Sequence, residues 1–194
     1  MNTIIGISGI SGAGKTTLVK ALSKKINAAK LHWDDFDEIS ISPNNYLNWY
    51  EDGQDYKAFD YQAMADALKT LKSNQIYRNK GLNIMIIPTP TIFVDLPLGP
   101  KHLQTAKFID YFIHIDIPLD LALCRRIIRS SKDKTYEELI NELNKYPAIR
   151  KLFLMEDVKD CADLILDGKL SVDMLVSKIL LKIKLSQVST TTNT

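Results

Sequence analysis

Residues 9 to 16, Gly9-Ile10-Ser11-Gly12-Ala13-Gly14-Lys15-Thr16, constrain this chain more than any other stretch. They meet every fixed position of G-x-x-x-x-G-K-[ST]. They also stand between an isoleucine-rich run, TIIGIS at 3–8, and a segment with Leu18, Leu22 and Ile26 at four-residue spacing. A strand that runs into a glycine loop and then a helix is the context in which this motif holds phosphate. The glycines let the backbone N–H groups of residues 9–17 converge on phosphate oxygens at close range. The helix opening near Gly14 adds the positive end of its dipole. Lys15 sets a cation against the β- and γ-phosphates, the Thr16 hydroxyl ligates Mg²⁺, and Thr17 completes the cradle. A dinucleotide-binding loop is excluded, because Gly12-Ala13-Gly14 would need a glycine where Thr17 stands. The loop reads as a nucleoside triphosphate site.

The rest of the chain alternates strand-like and helix-like segments. AKLHWDD (29–35) reads as a second strand ending in carboxylates, and residues 42–60 as polar and aromatic loop with room for one short helix. Tyr61, Met64, Ala65, Leu68 and Leu71 make a helical apolar stripe. NIMIIP (83–88) and TIFVD (91–95) read as two strands, or as an edge ribbon followed by a central strand. FIDYFIHIDI (108–117) is a further strand. A helix follows Pro118 with Leu121, Cys124 and Ile128 on its expected buried face, and another spans 135–146 with Thr135 and Glu138 spaced as a capping box. LILDG (164–168) is the last strand, and a Ser171-capped helix with Val172, Leu175, Val176, Ile179, Leu180 and Ile183 closes the domain. The alternation predicts the α/β class: a P-loop NTPase fold with a parallel sheet covered by helices on both faces. One domain is expected over 1–186, and 187–194 is expected to be a disordered tail. There is no internal repeat.

With 194 residues, 45% apolar and 25% charged, the chain can bury a core of its own. A net charge of +2 carries no nucleic-acid footprint. The longest apolar region is broken by prolines and an aspartate, which argues against a membrane span. Cys124 and Cys161 read as reduced core cysteines and the setting as cytoplasmic. His32, His102 and His114 lack metal spacing and read as structural or surface residues.

The receiver of the phosphate is narrowed by what is missing. A guanine-reading N-K-x-D is absent: Asn144-Lys145-Tyr146-Pro147 carries proline in the acidic position, and Asn79-Lys80-Gly81-Leu82 carries leucine. A D-x-x-G switch is absent at Asp95, because Gly99 lies one residue too far. A small-molecule kinase fits better than a switch GTPase. HWDDFDEIS (32–40) supplies two adjacent acids facing the γ-phosphate position. One can take the proton from an attacking hydroxyl while the other orients the substrate or the metal's water. Three apolar residues followed by Asp95 fit a strand whose terminal carboxylate holds Mg²⁺.

The phosphate loop, a strand ending in Asp34-Asp35-Phe36, and IMIIPTPTIFVDLPLG (84–99) together resemble the uridine kinase and nicotinamide riboside kinase group of P-loop small-molecule kinases. The resemblance spans roughly residues 3 to 130 and implies ATP and Mg²⁺ as cofactors and a nucleoside-like hydroxyl acceptor. It makes Asp35 the first choice for general base and Asp34 the second, with Thr16, Asp95 and Asp35 at the metal. LALCRRIIRSSKDK (121–134) is similar to the group's arginine-rich lid, which implies charge-neutralising roles for Arg125, Arg126 and Arg129 near a lid at 125–135. The relatives' acceptor segment corresponds to residues 46–59, where Trp49, Asp55 and Tyr56 are implied substrate contacts beside Tyr46, Tyr50 and Phe59. Asp95 stands where the group usually has glutamate, and Ser130-Ser131-Lys132 replaces a further arginine and glycine in the lid. A nucleotide-binding regulator or slow ATPase stays open as a rival, as does a kinase for nicotinamide riboside or pantothenate.

Overall fold

The computed structural model describes residues 1–154 and 156–191, with side chains described up to residue 183. Five parallel strands form its sheet: β1 (Thr3–Gly9), β2 (Ala29–His32), β5 (Thr91–Asp95), β6 (Tyr111–Asp116) and β7 (Leu164–Asp167), in the order β2-β5-β1-β6-β7. The first strand lies in the middle, so the loop at its carboxyl end opens where the chain crosses from one half of the sheet to the other. That is where parallel sheets bind ligands. β3 (Tyr77–Asn79) and β4 (Ile84–Ile86) pair antiparallel as a separate ribbon, the second of the two arrangements that the sequence allowed for 83–95.

Period-two alternation sorts the strand residues onto two cores. Ile5, Ile7 and Phe93 pack with Leu18 and Leu22 of α1 (Lys15–Ile26) and with Leu175, Val176 and Ile179 of α8 (Val172–Thr191). Ile4, Ile92 and Val94 point the other way, onto Met64, Leu68 and Leu71 of α3 (Gln62–Lys72). Each fully buried isoleucine or leucine contributes roughly 1.5–3 kcal/mol. The alternation also aims Asp95 to the same face as Phe93, toward α1.

The remaining helices are α2 (Tyr46–Glu51), α4 (Leu103–Ala106), α5 (Leu119–Ser130), α6 (Tyr136–Ile149) and α7 (Glu156–Lys159). α6 begins with the expected capping box and runs three residues past the expected end, through Pro147. Met174 N–H donates to the Ser171 hydroxyl at the start of α8. Of the tail expected over 187–194, residues 192–194 lie outside the described residues, and α8 continues to Thr191.

Four expectations are corrected. β2 ends at His32, so Asp34 and Asp35 are not on a strand. They sit in a 3-10 helix, Trp33–Ile39, whose Trp33 and Phe36 turn inward. Cys124 and Cys161 are exposed and free, not core. Leu121, Cys124 and Ile128 form the outward stripe of α5, with Ile128 67% exposed, while Ala122 packs inward. β6 is also shorter than expected, beginning at Tyr111, because 108–110 turn through backbone bonds to Thr105, Ala106 and Ile4.

Candidate active site

Gly9, Gly12 and Gly14 all carry positive φ, which shapes the turn between β1 and α1. At Gly12 the requirement is steric as well: a Cβ there would stand 2.2 Å from the carbonyl oxygen of Ala122, so the loop lies directly on α5. Gly14 caps α1 in the left-handed conformation without a side-chain acceptor, so the first N–H groups of α1 point toward the loop's concavity. Lys15 folds back over this loop and donates to the Ile10 carbonyl at 3.3 Å. Burial pushes its ammonium down from the usual lysine value, while Asp95 and then Asp34 pull it back up.

The Thr16 hydroxyl donates to Asp95 Oδ2 at 2.5 Å, and Asp95 Oδ1 is buried without a partner among the described residues. Burial raises the Asp95 carboxyl above the ordinary carboxylate range, opposed by Lys15 and by the Thr16 bond. A hydroxyl and an orphaned carboxylate oxygen are the hard oxygen donors that Mg²⁺ takes, and that ion needs only one or two protein ligands when phosphates and water supply the others. No group of three or more metal-binding side chains occurs among the described residues. The pair therefore fits a phosphate-linked Mg²⁺ rather than an all-protein cage.

Above this pair opens a cavity of about 850 Å³. Asp34 lines it together with Gly9, Ser11, Gly12, Gly14, Lys15, Thr16 and Thr17; Asp35 does not. The difference follows from the 3-10 turn, in which adjacent residues point about 120° apart. Asp35 lies instead near His32, whose ring is lowered in pKa by burial, with Asp35 and Asp95 opposing. Both ring nitrogens of His32 are buried without partners among the described residues, beside Asp95 in register. The other two histidines are structural, as expected. His102 bonds Thr105 and the Phe59 carbonyl, and His114 bonds the Ser8 hydroxyl behind the phosphate loop at 3.0 Å.

The wall facing the phosphate loop comes from residues 44–59. Trp49 and Tyr56 line the cavity with Tyr46 and Phe59. The Trp49 indole N–H donates to the Asp55 carbonyl, and the Tyr56 phenol donates to Asp157 Oδ2 at 2.8 Å, which holds both rings in place. The Asp55 carboxylate is not part of that wall: it accepts the Lys57 N–H and caps a short 3-10 turn, Tyr56–Ala58.

The three arginines of α5 separate. Arg129 lines the cavity close enough to Lys15 to depress its pKa further. Arg125 donates to the Gly168 carbonyl at 3.0 Å and does not line the cavity. Arg126 binds Glu142 of α6 through Nε at 2.7 Å and lies over the Phe153 ring at 5.0 Å, so it ties α5 to α6. The sequence reading missed what α6 brings. Lys145 and Ile149 of α6 line the cavity, with Leu152 of the 3-10 turn that follows, at spacings of four and three. Asp37, one 3-10 turn beyond Asp34, was also passed over.

A phosphate loop at the tip of a central parallel strand, with a buried acid beside it and a second acid across the cavity, is the framework of a P-loop kinase. Solved structures agree on the fold. A sugar kinase from Janibacter superposes with a TM-score of 0.56 at 16% identity, covering 95% of each chain. Shikimate kinase from Acinetobacter baumannii, in complex with shikimate, gives 0.51 at 14% identity over 96% of this chain and 95% of that one. No protein-family model matches the chain. Among curated proteins, a uridine kinase of Borrelia duttonii is 31% identical over 190 residues, covering 86% of each chain. A uridine kinase of Staphylococcus haemolyticus is 27% identical over 197 residues, covering 91% of this chain and 95% of that protein. The chain belongs to the uridine kinase family.

Proposed function

We propose that the protein transfers the γ-phosphoryl group of ATP to a ribose 5′-hydroxyl of a nucleoside. The observation that carries this is the placement of Asp34 in one cavity with the phosphate loop, the Thr16–Asp95 pair and the aromatic wall of residues 46–59. A hydroxyl held against Asp34 meets both a base and the end of the triphosphate.

In this reading the loop N–H groups of residues 9–17 and the Lys15 ammonium bind the triphosphate and fix its terminal group. Thr16 and Asp95 would hold Mg²⁺, which supplies charge neutralisation on the phosphate oxygens when bound. Asp34 takes the acceptor's proton at its carboxylate, the role for which Asp35 was the first choice from sequence. Asp35, facing His32, supports the strand end rather than the reacting atoms. Arg129 and Lys145 neutralise charge that develops on the transferring group. Arg125, bonded to Gly168, takes no part in this, and Arg126 positions α6. Trp49 and Tyr56 carry the acceptor's apolar contacts, with Asp55 setting the turn between them. Closing α6 onto the cavity excludes water, which keeps phosphate from being lost to hydrolysis. The free cysteines Cys124 and Cys161 suit a reducing compartment such as the cytoplasm. Among the described residues no helix is long and apolar enough to cross a membrane.

The test is to incubate the protein with ATP, Mg²⁺ and a mixed pool of nucleosides and hydroxylated vitamins, and to identify products by mass spectrometry. A nucleoside monophosphate is expected. Inorganic phosphate alone, unaffected by the pool, would overturn the reading in favour of an ATPase or regulator.

A further inference from the structure

Beside the phosphate-loop cavity lies a second one of about 470 Å³. The two share Asp34, Tyr46, Phe59, Pro97 and Leu98, so they adjoin. The 3-10 helix Trp33–Ile39 gives Asp34 to both and Trp33 and Asp37 to the second. With three residues per turn and a rise of ~2 Å per residue, side chains at i and i+3 eclipse about 6 Å apart. Asp34 and Asp37 therefore share one face of that helix. Asp34 stands at the reacting end, and Asp37 stands one turn away in the second cavity.

The charged inventory of this cavity is one-sided. The Tyr61 phenol donates to Asp37 Oδ1 at 2.7 Å, and the Ser42 hydroxyl lies 3.2 Å from the same phenol oxygen. Tyr61 has one proton and gives it to Asp37, so Ser42 is the donor in the second bond and keeps its lone pairs. Asp37 Oδ2 accepts no hydrogen bond among the described residues. The Ser40 hydroxyl, also lining the cavity, is buried without a partner. Two carboxylates face the space, and no lysine or arginine lines it. Burial raises the Asp37 carboxyl, with the Tyr61 bond opposing and Asp34 adding to the rise. The walls are flat and apolar: Trp33 and Tyr61 lie against each other at 3.7 Å between ring centroids, with Phe59 and Tyr46 nearby. Such walls suit a planar ring.

We propose that this second cavity receives the heterocycle of the nucleoside acceptor, and that Asp37 selects rings whose far edge carries an amino N–H₂ donor or a positive charge. The inference rests on the nucleoside reading above. A carbonyl oxygen placed against Asp37 Oδ2 sets two acceptors together with no proton between them. An amine or a cationic ring there completes a charge-assisted contact instead. One such contact discriminates by roughly 10- to 100-fold. Asp37 is thus a specificity-determining residue one helical turn from the base.

The experiment measures kcat/KM for cytidine, nicotinamide riboside and uridine, with ATP and Mg²⁺, for the wild-type protein and for Asp37→Asn and Asp37→Glu. Wild type is expected to favour cytidine, nicotinamide riboside or both over uridine by roughly 10- to 100-fold, mainly through KM. Preference for cytidine alone identifies the amine as the feature read; preference for the pyridinium nucleoside alone identifies the charge. Asp37→Asn keeps an oxygen for Tyr61 but presents its own N–H₂, and should bring the ratios to about one or invert them, whereas Asp37→Glu should keep their direction. A parallel fall in all three activities at unchanged ratios would make Asp37 a structural residue and overturn the inference, as would a wild-type preference for uridine. If wild type phosphorylates another acceptor and none of the three nucleosides, the nucleoside reading itself fails and takes this inference with it.

Discussion

Thr16 and Asp95, 79 positions apart, meet across the carboxyl end of the sheet: the hydroxyl donates to one carboxylate oxygen and leaves the other buried and unpaired. The meeting follows from two local rules. Strand alternation sends Asp95 to the α1 face, and the helix that starts at Lys15 puts Thr16 in its first turn.

Turnover should therefore fall toward acid pH at a midpoint above the ordinary carboxylate range. Burial raises the Asp95 carboxyl, and only its ionised form can hold a cation. Metal affinity is present above that raised value and lost as pH falls through it, so added Mg²⁺ should move the midpoint downward. Turnover measured against pH at several Mg²⁺ concentrations checks this; a midpoint indifferent to Mg²⁺ would count against Asp95. For the empty fold the sign is opposite. Stability contributed by the protonated carboxyl is present below the ordinary value and lost as pH rises through the raised one.

Asp34→Asn should lower kcat by about 10²–10⁴, the scale of a lost general base, with ATP binding nearly intact. Asp35→Asn should change kcat by no more than a few-fold, because Asp35 is exposed and does not line the cavity. Single-turnover kinetics together with nucleotide binding separate the two. The reverse order would restore Asp35 to the role that the sequence first suggested.

Gly12→Ala should abolish nucleotide binding and lower the melting temperature. The new methyl would meet the Ala122 carbonyl oxygen at 2.2 Å, at a backbone φ of 91° that alanine resists. The conformational cost alone is on the order of 1–3 kcal/mol. Gly53→Ala carries the same backbone cost, at φ 97°, but meets nothing within 4 Å. Its thermal shift should be smaller, and calorimetric unfolding of both variants reads the difference.

Arg129→Ala should reduce kcat by roughly 10²–10³, as for removal of a donor that stabilises transition-state charge. Arg125→Ala should leave kcat close to wild type and act on stability, since its partner is the Gly168 carbonyl behind β7. Steady-state kinetics and thermal unfolding of the pair distinguish the two roles.

Most of the framework was legible because it rests on short-range patterns. The glycine loop, the isoleucine strand before it, the α3 stripe and the Thr135 capping box each declare themselves within a dozen residues. The site was less legible, for geometric reasons. Which of two adjacent aspartates faces the phosphate depends on where β2 stops, and one residue of register turns the side chain away. α5 carries two apolar stripes. The small Ala122 was the one that packs, because Gly12 needs a close neighbour, so Cys124 and Ile128 turned outward. Arg125, Arg126 and Arg129 look alike in sequence, yet the first two bind residues 168 and 142 while the third lines the cavity near Lys15, which no local pattern reveals.

The two rims of the cavity are fastened to each other by unequal catches. Tyr56 to Asp157 is half-buried and short, whereas Glu51 to Lys151 is an exposed ion pair of the kind worth about 1 kcal/mol or less. Ionic strength screens the exposed pair and spares the half-buried bond, so salt should loosen the rim at Glu51 and Lys151 while the Tyr56–Asp157 side holds.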